Sequence, residues 1–501
     1  MDELCKIDEI HLKILPDKKQ KTDTVYKLSK YKTKLYEHQK EGIQFGLNHE
    51  KWMLLDSMGL GKSIQAIYIA QELKKLKKIE HCLIICGINT LKSNWKSEIE
   101  KHSNLSCRIL GEYQNNKNQT KIGGIKDRLN QLKSKLKEFF IITNIETLRN
   151  NDVVKEIENG KNKFDLIILD EAHICKNPNS EQGHNLLKLK SAKYKIAMTG
   201  TPLLNSPLDC YVPLKWLDLD NSTYSNFKYY YCNYGGPFGN IPMGYKHLDV
   251  LKYQIEQNSL RRTKDLLNLP EKTIINEFVD LNDSQKQFYD NVVSGIVSQI
   301  DKVKMSTANL LSMVCRLRQA TVLPSILTSE PIESSKINRC IELIDEIVNN
   351  DNKVVVFSTF KDSANYLAEK LQKYNCLLCT GDTKELDIKD NIQKFQTDVN
   401  YKVMIATWQK MGIGITLTAA NYAIFLDTPW TQGAYEQAQD RIHRIGSKKS
   451  VFIYNLICKD TIDERVLKIV TTKGALSNYV VDDDTSDEVI NSLKEYIEEL
   501  Q

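Results

Sequence analysis

Two tandem doubly wound parallel-sheet lobes of the α/β class, with a mostly helical insertion between them, are the fold that the sequence predicts. Three observations lead there. Short apolar runs recur along the chain and end in polar residues, helix-like segments such as SIQAIYIAQELKKLKK separate them, and the runs fall into two sets divided by a long gap. Runs this continuously apolar suit strands buried on both faces of a parallel sheet. A chain of 501 residues also exceeds a single core, so more than one domain is required.

An N-terminal extension, 1–33, opens with MDELCKIDEI, which carries acids where a secretion signal needs a cationic end and an apolar run. No stretch approaches a membrane span, and a soluble, intracellular protein is expected. Lobe 1 occupies 34–204, with strands read at WMLLD (52–56), HCLIIC (81–86), FFIIT (139–143), FDLIILD (164–170) and YKIAMT (194–199). Residues 205–335 contain the Tyr- and Gly-rich FKYYYCNYGGPFGNIPMGYKH and then SQKQFYDNVVSGIVSQIDKV, read as helical insertions and linker. Lobe 2, 336–480, repeats the strand pattern at KVVVFS (353–358), CLLCT (376–380), KVMIAT (402–407), YAIFLD (422–427) and VFIYNLI (451–457). The tail, 481–501, has an acidic break, VDDDTSDE, and then an apolar helical stripe of Val489, Ile490, Leu493, Tyr496, Ile497 and Leu500. That stripe is expected to dock on lobe 2, with a protein partner as the alternative.

Charge narrows the function classes. Lys plus Arg total 69 against 64 Asp plus Glu, a net +5 too mild for a basic coat, so any polyanion contact must be local. The lysine runs KKLKK (74–78) and KSKLK (133–137) read as solvated helix faces, with assistance to a polyanion contact as the alternative. Of the cysteines, Cys376 and Cys379 have C-x-x-C spacing without a second pair, which favours two thiols on a buried strand over a metal or redox centre.

Three stretches carry chemistry. LLDSMGLGKS (54–63) matches the phosphate-loop spacing G-x-x-x-x-G-K-[ST] at Gly61, Lys62 and Ser63, but Asp56 stands at the first glycine position. Gly59 and Gly61 allow the tight turns that aim backbone N–H groups at phosphate oxygens, Lys62 reaches the outer phosphates, and the Ser63 hydroxyl suits Mg²⁺. LIILDEAH sets Asp170 and Glu171 at the carboxyl end of a buried strand, where one carboxylate suits the metal and the other the attacking water. In EQAQDRIHRIG, Arg441 and Arg444 lie three apart, a spacing that shares a helix face and offers positive charge to a transferred phosphoryl group.

These stretches belong to a longer series in order: LYEHQKEGI, DSMGLGKSIQ, LIICGINTLKSNWKSEIEK, IITNIETL, LDEAHICKN, MTGTPLLNS, LRRTKDLLNLPEK, CRLRQA, VVVFSTF, GIGITLTAAN, DTPW and QAQDRIHRIG. Over about residues 34–470 the chain resembles the Swi/Snf-type ATPases of helicase superfamily 2, which are double-stranded DNA translocases. The resemblance implies two RecA-like lobes using ATP and Mg²⁺. It implies that Gln39 reads the adenine, that Asp56, Gly59, Gly61, Lys62, Ser63 and Gly414 line the nucleotide site, and that Ser63 and Asp170 hold the metal. Glu171 would act on water, and Arg441 and Arg444 on the γ-phosphate. Thr199 and Thr201 would relay nucleotide state, Trp430 would couple the lobes, and Thr90, Thr143 and Thr407 would contact DNA phosphates. Departures are Gly87, Ser57 and the pair Lys410 and Met411.

The expected function is an ATP-dependent motor, monomeric and bare of accessory modules, that walks on duplex or branched DNA and remodels bound proteins or reannealing strands. The alternatives are a strand-separating DNA or RNA helicase, and a non-hydrolysing subunit that keeps ATP as a structural ligand.

Overall fold

Each of the ten apolar runs forms a strand, and ends of strands differ from the runs by a residue or two. The computed structural model describes residues 24–29, 31–87, 89–114, 120–200, 206–235, 241–267, 269–300, 307–408, 416–429, 432–473 and 496. The chain divides between Leu266 and Leu267 into two compact units.

In the first unit the strands are β1 (Lys51–Leu54), β2 (His81–Cys86), β3 (Cys107–Ile109), β4 (Phe140–Asn144), β5 (Phe164–Asp170), β6 (Tyr194–Met198) and β7 (Ser259–Leu260). They form a seven-stranded sheet in the order β7-β1-β6-β5-β2-β4-β3, with every pairing parallel. Helices cover its faces, so β2 and β4 are buried along their whole length. This burial is why those stretches read as unbroken apolar runs.

The second unit holds β8 (Lys272–Val279), β9 (Val354–Ser358), β10 (Leu377–Cys379), β11 (Val403–Thr407), β12 (Tyr422–Phe425) and β13 (Val451–Cys458). Their order is β8-β13-β12-β9-β11-β10, again parallel throughout. Alternate side chains of β9 enter two separate cores, Val355 and Phe357 on one face and Val354 and Val356 on the other. Helix Ser335–Asn349 covers the second face. Tyr496, the only described member of the C-terminal stripe, packs on the first core, its hydroxyl 3.2 Å from that of Tyr289.

Residues 205–335 are not simply helical. The Tyr- and Gly-rich stretch forms a hairpin of Cys232–Gly235 with Ile241–Tyr245, and β8 joins the second sheet as an edge strand beside β13. Its side chains alternate between exposed and half-buried up to the buried Val279, so it lacks the apolar continuity of the central strands. Cys379 lies on β10 and Cys376 just before it, and burial pushes the two thiols up to about 11 and about 12. Among the described residues no helix is long and apolar enough to cross a membrane.

Candidate nucleotide site

Strand register assembles the site. Met198, the last residue of β6, is paired with Leu54 at the end of β1 and with Asp170 at the end of β5. The segments that follow these three strands therefore leave one edge of the sheet side by side: the loop 55–61, Thr199 with Gly200, and Glu171. That carboxyl edge is where ligands of open parallel sheets bind.

The loop turns as its glycines require, with φ of 86° at Gly59 and 79° at Gly61. Gly61 caps helix Lys62–Lys75, so the positive end of that helix faces the loop. The Lys62 ammonium donates to the backbone carbonyl of Asp56 at 2.8 Å. Gly200 is needed for closeness, since a Cβ there would stand 2.5 Å from Met58 Cγ and 2.9 Å from Lys62 Nζ. Gln39, on helix Glu37–Asn48, is buried against the loop and donates to Leu60 O at 3.2 Å while accepting from Tyr36 N at 3.1 Å.

The Asp56 side chain does not face this loop. It is fully buried, and it accepts from Arg262 Nε (3.0 Å) and Nη2 (2.6 Å) and from Gln65 Nε2 (3.0 Å). An aspartate read as lining the nucleotide site is thus an internal anchor, because an uncompensated carboxylate in such surroundings would be too costly. Only its carbonyl addresses Lys62.

Asp170 accepts from the indole N–H of Trp95 at 2.9 Å and from the backbone N–H of Glu171 at 3.0 Å. Burial, and then the neighbouring Glu171 carboxylate, raise its pKa to about 6. Glu171 holds a left-handed backbone, φ 53° and ψ 51°, and its carboxylate lies 3.4 Å from His173 Nδ1. His173 Nδ1 is also 3.1 Å from the Thr199 hydroxyl, which links the carboxylate pair to the segment after β6. Burial, then the charges of Lys176 and Lys62, lower the His173 pKa to about 4. A Cβ at Gly87 would meet Ile174 Cδ1 at 2.9 Å and Glu171 Cβ at 3.3 Å, so this departure from the common pattern packs against the same turn.

Other expected residues fare differently. Thr143 is buried at 1 % exposure and donates to Thr147 Oγ1 at 3.1 Å, inside a network with Asn144 and Arg128, so its hydroxyl is not presented to solvent. Thr407 ends β11 and is also buried. Thr90 lies in the first turn of helix Asn89–His102. Helix Gln432–Ile442 stops before Arg444, so the two arginines do not share a continuous helix face. Ser447 ends it by donating to Ile442 O at 2.5 Å and accepting from Arg444 N at 3.1 Å. Arg441 is buried on that helix at 6 % exposure. Thr201, Gly414, Trp430 and the pair Lys410 and Met411 lie outside the described residues. The two lysine runs meet around one surface groove of about 750 Å³, where Lys74, Lys77, Lys78, Lys135 and Lys137 surround the amino ends of β2 and β5.

Sequence reading missed Arg262, Trp95 and His173 as site residues. Each stood inside a quoted block, but only the fold brings Arg262 to Asp56 across 206 residues.

Comparison with known proteins gives the same outline. The description SNF2-related domain matches residues 38–326, and the helicase conserved C-terminal domain matches 335–446. An uncharacterized ATP-dependent helicase of Mycoplasma genitalium is 30 % identical over 88 % of this chain and 42 % of its own length. The DNA annealing helicase and endonuclease ZRANB3 of Bos taurus is 27 % identical over 89 % of this chain and 40 % of its own length. The chain thus spans about two fifths of these curated relatives. A solved SWI2/SNF2 ATPase core of Sulfolobus solfataricus in complex with dsDNA is similar at 25 % identity, with a TM-score of 0.42 over 93 % of this chain and 99 % of that one. Since the SNF2-related match alone runs through more than half of the sequence, this chain belongs to the SNF2-related family.

Proposed function

We propose that the carboxyl edge of the first sheet hydrolyses ATP bound with Mg²⁺, and that turnover drives movement along duplex DNA. The observation that carries this reading is the shared register of Leu54, Met198 and Asp170, which delivers the loop, Thr199 and the carboxylate pair to one place. Gln39 would hold the adenine, Lys62 the outer phosphates, and Glu171 the attacking water. Arg441 and Arg444 would supply positive charge to the γ-phosphate.

The donor set fits Mg²⁺. Among the described residues no group of three or more His, Cys, Asp or Glu forms a protein cage for a metal. Mg²⁺ with a nucleotide needs only one or two protein ligands, the rest coming from phosphates and water. Asp170 and Ser63 would be those ligands, and a cation would offset the burial and the neighbouring Glu171 carboxylate that raise the Asp170 pKa. Bound there, the ion would neutralise charge developing on the phosphates.

On the DNA side, contacts with the phosphate backbone position a motor without reading sequence. Remodelling of bound proteins or of branched and reannealing strands, without processive strand separation, is the substrate class proposed. The relative named a DNA annealing helicase supports it. The test measures ATP turnover with duplex DNA, single strands and RNA in parallel. Duplex DNA should stimulate most, and stimulation by RNA alone would overturn the assignment. Glu171→Gln should cut turnover by about 10²-fold or more while retaining nucleotide binding, the scale of loss expected for a positioned acid-base group. Full activity in Glu171→Gln or Lys62→Ala would remove the site assignment.

A further inference from the structure

The carboxylate at position 56 and the guanidinium that meets it form a densely bonded polar pair beside the phosphate loop. Arg262 grips both oxygens of Asp56, through Nε at 3.0 Å and Nη2 at 2.6 Å, and also donates to Gln65 Oε1 at 2.8 Å and to the His38 carbonyl. Gln65 returns a hydrogen bond to Asp56 at 3.0 Å. One side chain therefore joins three elements: helix Glu37–Asn48 at His38, the loop at Asp56, and helix Lys62–Lys75 at Gln65. The backbone reinforces it, with Leu55 N donating to Leu260 O at 2.8 Å and Ser57 N to Arg262 O at 2.9 Å. Space is tight enough that a Cβ at Gly42 would stand 1.8 Å from Gln65 Oε1 and 2.9 Å from Arg262 Nη2.

We infer that Arg262 is a positioning residue for ATP binding, acting through Asp56 to fix the first half of the phosphate loop. The path is short. The carbonyls of Asp56 and Ser57 receive the Lys62 ammonium at 2.8 and 3.4 Å, so the placement of residue 56 helps set where Lys62 rests. A buried ion pair adds little net stability over an apolar pair of the same shape, but its two-point fork fixes geometry. Lysine cannot reproduce that fork. The inference rests on the ATP-site reading above and adds a residue to it.

The experiment compares Arg262→Lys and Asp56→Asn with Lys195→Met in the full chain. Lys195 is another buried cation of the first unit, paired with Asp218, but it lies at the opposite end of β6, in register with Lys51 at the start of β1. Three quantities are read: the thermal midpoint, the affinity for a fluorescent ATP analogue, and KM against kcat. Arg262→Lys and Asp56→Asn should weaken nucleotide binding by about tenfold, equivalent to ~1.4 kcal/mol, with KM rising more than kcat falls. Lys195→Met should lower the midpoint and leave nucleotide affinity unchanged. Wild-type affinity in Arg262→Lys, or an equal loss in Lys195→Met, overturns the inference. Should Arg262→Lys not fold, Gln65→Met removes one arm of the network at near-constant volume and is read in the same way. Equilibrium binding separates the two claims: a chain that binds the analogue but never turns over ATP contradicts the hydrolysis reading and still reports on Arg262.

Discussion

His173 is held neutral by its surroundings. Burial and the nearby Lys176 and Lys62 bring its pKa from 6.5 down to about 4, while its ring nitrogen stays 3.1 Å from Thr199 Oγ1. The unfolded chain therefore takes up a proton at this residue from pH 6.5 downward, and the folded chain does so only near pH 4. The contribution is fully present above pH 6.5 and is lost as pH falls toward 4. Asp170 works in the opposite sense, since its raised pKa makes the folded state bind the extra proton between the ordinary carboxylate range and about 6. Wild type minus His173→Gln isolates the histidine: between pH 7 and pH 5 the thermal midpoint of wild type should fall more than that of the variant. An equal fall in both would mean that His173 is not the group responsible. At this scale the sequence was legible where geometry is local, as in the turns at Gly59 and Gly61 and the strand end at Asp170. It was illegible at Asp56, because a loop motif cannot say whether a carboxylate turns toward a ligand or toward an arginine 206 residues away.

Helix Lys62–Lys75 ends in a tight turn of the Schellman type: Lys78 N donates to Leu73 O and Lys77 N to Lys74 O, both at 2.9 Å. The left-handed position of that turn belongs to Lys77, with φ of 56°, where glycine would carry no steric penalty. Lys77→Gly should therefore stabilise the protein by up to ~1 kcal/mol, less whatever the extra freedom of glycine costs in the unfolded chain. A fall in the thermal midpoint would contradict this reading of the turn. The legibility of elements follows burial. Central strands such as β2 and β9 announced themselves because both faces are covered, whereas β8 alternates and β7 has only two residues. The end of helix Gln432–Ile442 was missed for another reason: the Ser447 hydroxyl captures its last turn, which spacing between two arginines cannot reveal.

For the whole molecule, a net +5 spread over 501 residues leaves the proposed DNA affinity to local clusters. Binding through a handful of phosphate contacts should then weaken log-linearly with salt, by roughly 0.9 decades per decade of salt for each phosphate neutralised. Titrating duplex DNA of two unrelated sequences between low and moderate salt should give parallel lines with similar affinities. A salt-insensitive complex, or strong preference for one sequence, would argue against a backbone-tracking motor. The division of the chain into two parallel-sheet units was legible because apolar runs repeat in two sets. The boundary was not, since β8 lies in the stretch that looked like insertion and belongs to the second unit.

The chain leaves the first unit by lying alongside β1, with Met53, Leu55 and Ser57 donating in turn to Asn258, Leu260 and Arg262 at 2.8–2.9 Å. Parallel strands joined in this way resist a pull along their length in shear, with several bonds loaded together. Mechanical tension in the exit segment is thus borne by the residues that shape the phosphate loop, so a chain moving as proposed would register strain first at the loop from Asp56 to Gly61.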